Sequence, residues 1–205
     1  MARLLEYEPA AHRLPAACDA YERGVSLAGM SKAYALPGIR VGWLATRSAE
    51  ILDKVARLKT YTTICGGTAD ELLARIALKN GPAIIARNLG ILRANLALAE
   101  AFFAAHADRF EFVRPRVGTV VFPRLARDGD DADAYCAALA REHALILVPP
   151  SAMAPADVAA ALEERLGPRF RLGIGRTTLP GLLTRWGVAV AAEGVEAAAT
   201  VEARL

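Results

Sequence analysis

Apolar and polar positions change period several times along the chain. Residues 25–28, bounded by Gly24 and Gly29, and residues 41–45 are short continuous apolar runs, which predicts two buried strands. Between them GMSKAYALPG is rich in small residues and contains Pro37, so it predicts a loop. Ser48 stands where an N-cap belongs, ahead of a helix whose Ile51, Val55 and Leu58 share one face. The YTTICGG segment predicts extended or loop chain. Thr68 and Glu71 then have capping-box spacing for a helix carrying Leu72, Leu73 and Ile76. Pro82 suits the first turn of a further helix. There Ile85, Leu89, Leu92, Leu96, Ala99 and Phe103 recur in steps of four and three, one apolar stripe on a helix long enough to bridge two domains.

Beyond Phe103 the pattern changes. Residues 110–113 and 119–122 predict strands, joined as a hairpin across Pro115 and Gly118. Residues 131–143 read as helix, 145–148 as strand up to Pro149 and Pro150, 155–166 as helix and 170–174 as strand. The Ala-rich tail, with Leu182, Val188 and Val195, reads as a terminal helix. Residues 4–24, with Pro9 and Pro15, are irregular. Strands interleaved with helices make the chain α/β or α+β, without an internal repeat.

Composition narrows the classes of function. Apolar residues at 54% and charged residues at 23% describe a soluble globular chain with ample core material. A net charge of +3, with no basic run interleaved with aromatics, argues against nucleic acid. Cys18, Cys65 and Cys136 are odd in number and form no C-x-x-C pair, so neither a disulfide framework nor a zinc site is expected. A reducing, cytoplasmic compartment fits them best. MARLLEYEPAAHRLP carries Arg3, Glu6 and Glu8 and does not read as a signal peptide. No apolar run approaches a membrane span. His12, His106 and His143 are scattered and read as structural or solvated. Trp43 and Trp186 read as packing residues, and Cys65 as a small buried or loop residue.

Chemistry concentrates in Gly29-Met30-Ser31-Lys32-Ala33-Tyr34-Ala35-Leu36-Pro37-Gly38-Ile39-Arg40-Val41-Gly42. A small, an apolar and a small residue precede a lysine, and an arginine follows eight positions later, then an apolar residue and Gly. This resembles the pyridoxal-phosphate attachment signature of class I and II aminotransferases, fold-type-I enzymes. The resemblance implies that Lys32 forms a Schiff base with pyridoxal 5′-phosphate, and that Arg40 and Ser31 help to hold the phosphate. The physics agrees. Small neighbours let a cofactor ring approach, a Schiff-base lysine must shed its proton readily in a partly desolvated site beside cations, and an arginine fork suits a phosphate. Pro37 and Gly38 let the chain fold back. Many family members carry Ser where Gly29 stands. Here that phosphate contact is missing or is made by Ser31, Ser26 or a backbone N–H.

Phe170-Arg171-Leu172-Gly173-Ile174-Gly175-Arg176 resembles the C-terminal strand of the same family. The resemblance makes Arg171 the residue that binds the substrate α-carboxylate, with Arg176 a weaker candidate. A bidentate pair there would orient the substrate Cα–H bond. Gly118 to Arg124 is similar to a small-domain strand with a structural role and contact to substrate side chains. Residues 61–65 resemble a segment near the dimer interface, where Tyr61 or Thr62 approaches the partner's cofactor.

The resemblance runs from about residue 5 to residue 176. It implies the C-terminal part of the fold-type-I transferase fold, α/β, with residues 1–92 as a partial large cofactor-binding domain and 93–205 as a small α+β domain. It implies transfer of an amino group between an amino acid and a 2-oxo acid, in a homodimer. Residues 5–47 also resemble capreomycidine-synthase-type members, which eliminate and cyclise, so a lyase or cyclase is the alternative. Only 31 residues precede Lys32, and none forms the Asp-x-x-Tyr strand the family places there; Asp19-Ala20-Tyr21 has the wrong spacing. The chain therefore reads as N-terminally truncated, as a fragment whose isolated catalysis is weak or absent, or as a half that needs a partner chain. Without an acid at the pyridine nitrogen the ring is a poorer electron sink.

Overall fold

A computed structural model of the chain describes residues 3–7, 14–127 and 129–202. His12 and Pro9 lie outside them. The chain divides into two units, Met1–Gly90 with Arg116–Gly118, and Ile91–Pro115 with Thr119–Leu205.

The first unit opens with a single helical turn, α1 (Ala17–Ala20), and an antiparallel ribbon of β1 (Val25–Gly29) and β2 (Gly42–Thr46), in register from Val25 opposite Thr46 to Gly29 opposite Gly42. Both expected strands form, but neither is buried. Leu27 is 57% exposed and Leu44 41%. An apolar run predicts cover on both faces, and among the described residues this ribbon is a two-stranded sheet that no third strand extends.

Ser48 caps α2 (Ala49–Thr62), its Oγ accepting from the Ile51 N–H at 3.3 Å. The helix continues through Tyr61 and Thr62, so the expected extended segment begins two residues later. In α3 (Thr68–Lys79) the capping box is absent. Gly67 is the extended N-cap residue, which puts Thr68 already inside the helix, and no side chain caps the end. The buried side chains of α3 are Ala74 and Ala77, while the expected face residues Leu72, Leu73 and Ile76 are each at least half exposed. One buried cluster of the first unit is Met30, Ala74 and Ala77, joined by the partly buried Tyr34, Leu36, Ile39, Val41 and Ile84, and Leu5 and Ala33 of this unit are buried as well. Arg116–Gly118 belongs to this unit through pairing of Glu6 with Val117 and bonds from the Tyr7 N–H to Arg116 O and from the Gly118 N–H to Leu5 O.

Helix α4 (Gly81–Ala105) has Pro82 in its first turn, as the sequence predicts, and the unit boundary falls inside it. Beyond Gly81 at its start, its buried positions are Asn88, Leu92, Asn95, Leu96, Ala99 and Phe103. Two polar residues therefore occupy the apolar stripe, seven positions apart.

In the second unit β3 (Phe110–Glu111) and β4 (Val120–Val121) do not form a hairpin. β3 pairs with β5 (Arg124–Leu125), and β4 pairs with β6 (Leu172–Gly173), both antiparallel. Strands of two residues carry too little alternation to specify a partner, and Arg116–Gly118, between β3 and β4, is paired elsewhere. Residues 145–148 form only an isolated bridge, Val148 with Arg171. Asp131 caps α5 (Ala132–His143), accepting from the Asp133 and Ala134 N–H groups at 2.8 and 3.0 Å. Helices α6 (Ala156–Leu166) and α7 (Leu179–Glu202) complete the unit. Trp186 is fully buried at the centre of its core, with ring centroids 4.8 Å from Phe102, 5.3 Å from Phe110 and 5.7 Å from Phe103 and Phe170. Its Nε1 donates to the Tyr135 hydroxyl at 2.7 Å. Trp43, in contrast, is 39% exposed on β2. Among the described residues no helix is long and apolar enough to cross a membrane.

Candidate cofactor loop and substrate arginine

The turn between β1 and β2 carries Ser31, Lys32 and Arg40. Its ends are joined by a bond from the Met30 N–H to Val41 O at 3.0 Å, and the Leu36 N–H returns to Met30 O at the same distance. Met30 and Ala33 point inward, 0% and 4% exposed, and Lys32 between them is exposed. The Ala35 N–H bonds Lys32 O at 3.1 Å, and Asn88 Nδ2 donates to Ala33 O at 2.9 Å. Ala35 (φ 54°) and Arg40 (φ 52°) are left-handed. Each such residue bearing a Cβ costs roughly 1–2 kcal/mol, so the surrounding bonds hold a strained loop.

Among the described residues no hydrogen bond or ion pair engages the Lys32 ammonium. The other three lysines are Lys54, Lys59 and Lys79. Lys54 pairs with Glu50 at 2.7 Å, and Lys59 donates to the Thr63 hydroxyl at 3.1 Å. Arg40 donates to Pro37 O at 2.9 Å within its own loop. It also lines a recess of about 190 Å³ with Lys59, Gly66, Gly67, Asp70 and Glu71. Two carboxylates offset the two cations there, so this recess does not by itself select a phosphate.

Gly29 and Gly42 face each other where the loop leaves the ribbon. A Cβ on Gly42 would lie 2.9 Å from Ala28 O, and one on Gly29 would lie 3.1 Å from Val41 O. The close approach favours glycine at both positions and leaves the backbone bare. Ser31, half-buried in the turn, remains beside Lys32 in sequence. The Ser26 hydroxyl accepts from the Cys18 N–H at 3.1 Å.

Arg171 lies in the second unit. Its backbone pairs with Val148 (N–H to Val148 O at 2.8 Å). Phe170, Leu172 and Ile174 are buried, and Arg171, Gly173 and Gly175 alternate with them on the opposite face. The Arg171 guanidinium is half-buried and makes no hydrogen bond or ion pair among the described residues. A Cβ on Gly173 would meet nothing within 4 Å, so the strand beside Arg171 is open. Behind it, Asn95 Nδ2 donates to both Ile174 O and Arg176 O at 2.8 Å. In the same unit an apolar cleft of about 540 Å³ runs beside Val120, Val121 and Phe122, with Met153 and Leu166 in its wall. Its two arginines are engaged, Arg114 with Glu100 at 2.6 Å and Arg169 with Phe122 O at 3.0 Å.

Lys32, Ser31 and Arg40 therefore share one closed loop, and Arg171 stands on a strand of the other unit. Asn88 and Asn95 are absent from the sequence reading. Their signal is a pair of amides one heptad apart inside the stripe of α4, which a count of apolar positions passes over.

The remaining histidines and cysteines are placed as follows among the described residues. The His106 ring lies 4.8 Å from Phe102, and His143 ends α5, where a cation suits the helix dipole. Cys65 is an exposed loop thiol and Cys136 a buried one. Burial, reinforced by the charges of Asp133 and Asp131, pushes the Cys136 thiol up to about 12. In a timed reaction with a thiol reagent at pH 8, Cys65 is expected to be modified rapidly and Cys136 only in denaturant. Equal rates would show that helix α5 opens freely. A raised thiol value also means that Cys136 supports folding fully below its ordinary 9.0, and that this support is lost as pH rises toward 12.

Comparison with known proteins shows the family of the chain. The profile of the family "Aminotransferase class I and II" matches residues 6–167, and the chain belongs to this family. Capreomycidine synthase of Streptomyces vinaceus is 30% identical over 136 residues, covering 66% of this chain and 34% of that enzyme. A PLP-dependent aminotransferase from Streptococcus suis superposes with a TM-score of 0.72 at 30% identity, covering 84% of this chain and 43% of its own. The PLP-dependent cyclase OrfR gives 0.68 at 25% identity, with 82% and 43% covered. The chain thus spans about a third of the curated relative's length and less than half of these two structures. The mixed helix and sheet architecture is that of the fold-type-I aminotransferases over most of the chain.

Proposed function

We propose that this chain carries the attachment lysine of a pyridoxal-phosphate-dependent enzyme that transfers the amino group of an amino acid to a 2-oxo acid. The observation that carries the reading is the Lys32 loop. It is strained and closed, and it presents one lysine without a partner among the described residues, in a segment that resembles the attachment motif and lies inside the span matched by the family. The residues present fit the cofactor. Lys32 Nζ is accessible, the Gly29–Gly42 pair leaves bare backbone at the loop's mouth, and Ser31 and Arg40 offer a hydroxyl and a guanidinium for a phosphate. When bound, the cofactor supplies an electron sink for the charge left at the substrate Cα. Lys32 Nζ takes the Cα proton as general base and returns it as general acid. Arg171 binds the α-carboxylate through its two-pronged guanidinium and orients the amino acid. Three free cysteines support a reducing, cytoplasmic setting, and the family resemblance supports a homodimer.

A lyase or cyclase is the second reading, favoured by the likeness to capreomycidine synthase and to the cyclase OrfR. Both reactions begin with the same proton abstraction, so the lysine loop serves either. Incubation with pyridoxal phosphate, borohydride reduction and peptide mapping test the shared step. Label concentrated at Lys32 over Lys54, Lys59 and Lys79 is expected, and even labelling of all four would refute it. Analysis of products from supplied amino acids separates the two chemistries. A 2-oxo acid with the amino form of the cofactor marks transamination, and a cyclised or eliminated product marks the alternative.

A further inference from the structure

We infer that Asn88 is a positioning residue for Lys32, an inference that rests on the attachment role of Lys32. Asn88 is only 7% exposed and lies on the apolar stripe of α4. A buried amide in such a stripe is costly unless its hydrogen bonds are made. Its Nδ2 donates at 2.9 Å to the carbonyl of Ala33, a residue 55 positions earlier and adjacent to Lys32. Arg87 Nη1 lies 3.5 Å from Asn88 Oδ1, an orientation that turns the amide nitrogen toward the loop.

The consequence for Lys32 follows from the peptide planes around it. On its N-terminal side Met30 is fully buried and its N–H is bonded to Val41 O. On its C-terminal side the Lys32 carbonyl accepts from the Ala35 N–H, and the next carbonyl, that of Ala33, accepts from Asn88. Left-handed Ala35 follows two residues after Ala33. Tyr34 and Leu36 pack against the cluster of Met30, Ala74 and Ala77, and the bond from Asn88 adds a directed polar contact from α4, so it ties the direction of the Lys32 side chain to that helix. Leucine would fill the same stripe without this constraint. A buried, satisfied polar contact specifies one arrangement of the loop in a way that apolar packing does not.

Two variants of the full chain test this. Asn88→Leu replaces the amide by an apolar side chain of similar size, and Asn88→Asp keeps the shape but sets a carboxylate against the carbonyl. Hydrogen exchange read over residues 30–41 is expected to quicken about tenfold in both, the change that loss of one buried hydrogen bond gives. Exchange over residues 119–125 should stay as in the parent. Borohydride-trapped pyridoxal phosphate at Lys32, measured at subsaturating cofactor and relative to the other three lysines, should fall about tenfold. Unchanged exchange overturns the inference. Faster exchange with undiminished trapping also overturns it, because Asn88 would then only support the fold. If the parent chain shows no preference for Lys32, the attachment role itself fails and the inference falls with it, whereas failure in the variants alone leaves that role standing.

Discussion

Lys32→Arg is expected to abolish the borohydride-stable pyridoxal-phosphate adduct while leaving the fold intact. Arginine keeps the positive charge and most of the length of the side chain but remains protonated, so it can neither attack an aldehyde nor accept a proton. Lys32 is exposed and without a partner among the described residues, so its replacement breaks no structural contact. The thermal midpoint should be unchanged within about 1–2 °C, since surface substitutions away from special features stay within about 0.5 kcal/mol. In any assembly of the chain that turns over an amino acid, loss of the Nζ proton carrier should lower the rate by about 10²–10⁴-fold. The comparison variant is Lys54→Arg, which removes a lysine that pairs with Glu50 on α2 and should leave the adduct in place. An adduct that survives in Lys32→Arg would move the attachment point to another lysine.

Trp186→Ala is the substitution expected to cost most in stability, about 3–5 kcal/mol. The indole is fully buried, lies against four phenylalanine rings and donates to the Tyr135 hydroxyl. Removing it empties the middle of the second unit's core, and the rings of Phe103 and Phe170, themselves buried, cannot collapse far into the space. Denaturant titration would record the loss as a lower midpoint with little change in slope. Trp43→Ala gives the contrast. That side chain is 39% exposed on a two-stranded ribbon, and its removal should cost about 1 kcal/mol or less. A small effect at Trp186 would mean that the aromatic cluster is not the second unit's main source of stability.

The elements read most clearly from the sequence are those whose signal is local and repeated. The stripe on α4 recurs over many turns, and Ser48 precedes the helix that it caps. Thr68 and Glu71 had the spacing of a cap but not its position, because Gly67 could take the extended N-cap conformation one residue earlier. The pairings of β3 and β4 were not legible. Two-residue strands find partners through long-range geometry, and β4 meets β6 some fifty residues away. The ribbon of β1 and β2 was legible as strands but not as exposed, since an apolar run reports the tendency to be covered and not the presence of a cover. Of the candidate site, Lys32, Arg40 and Arg171 were visible through their spacing and neighbours. Asn88 was not, because its meaning lies in which carbonyl it meets.

The two tryptophans give each unit its own optical label. Trp43 belongs to the first unit and is partly wet, and Trp186 belongs to the second and is dry. Indole emission moves to longer wavelength in a polar surrounding, so the native spectrum is a sum of a redder and a bluer band. Loosening of the second unit drains the blue band while the red one persists. One emission scan per denaturant step therefore distinguishes melting in two stages from melting in one, and a Trp43→Phe chain isolates the second unit's share.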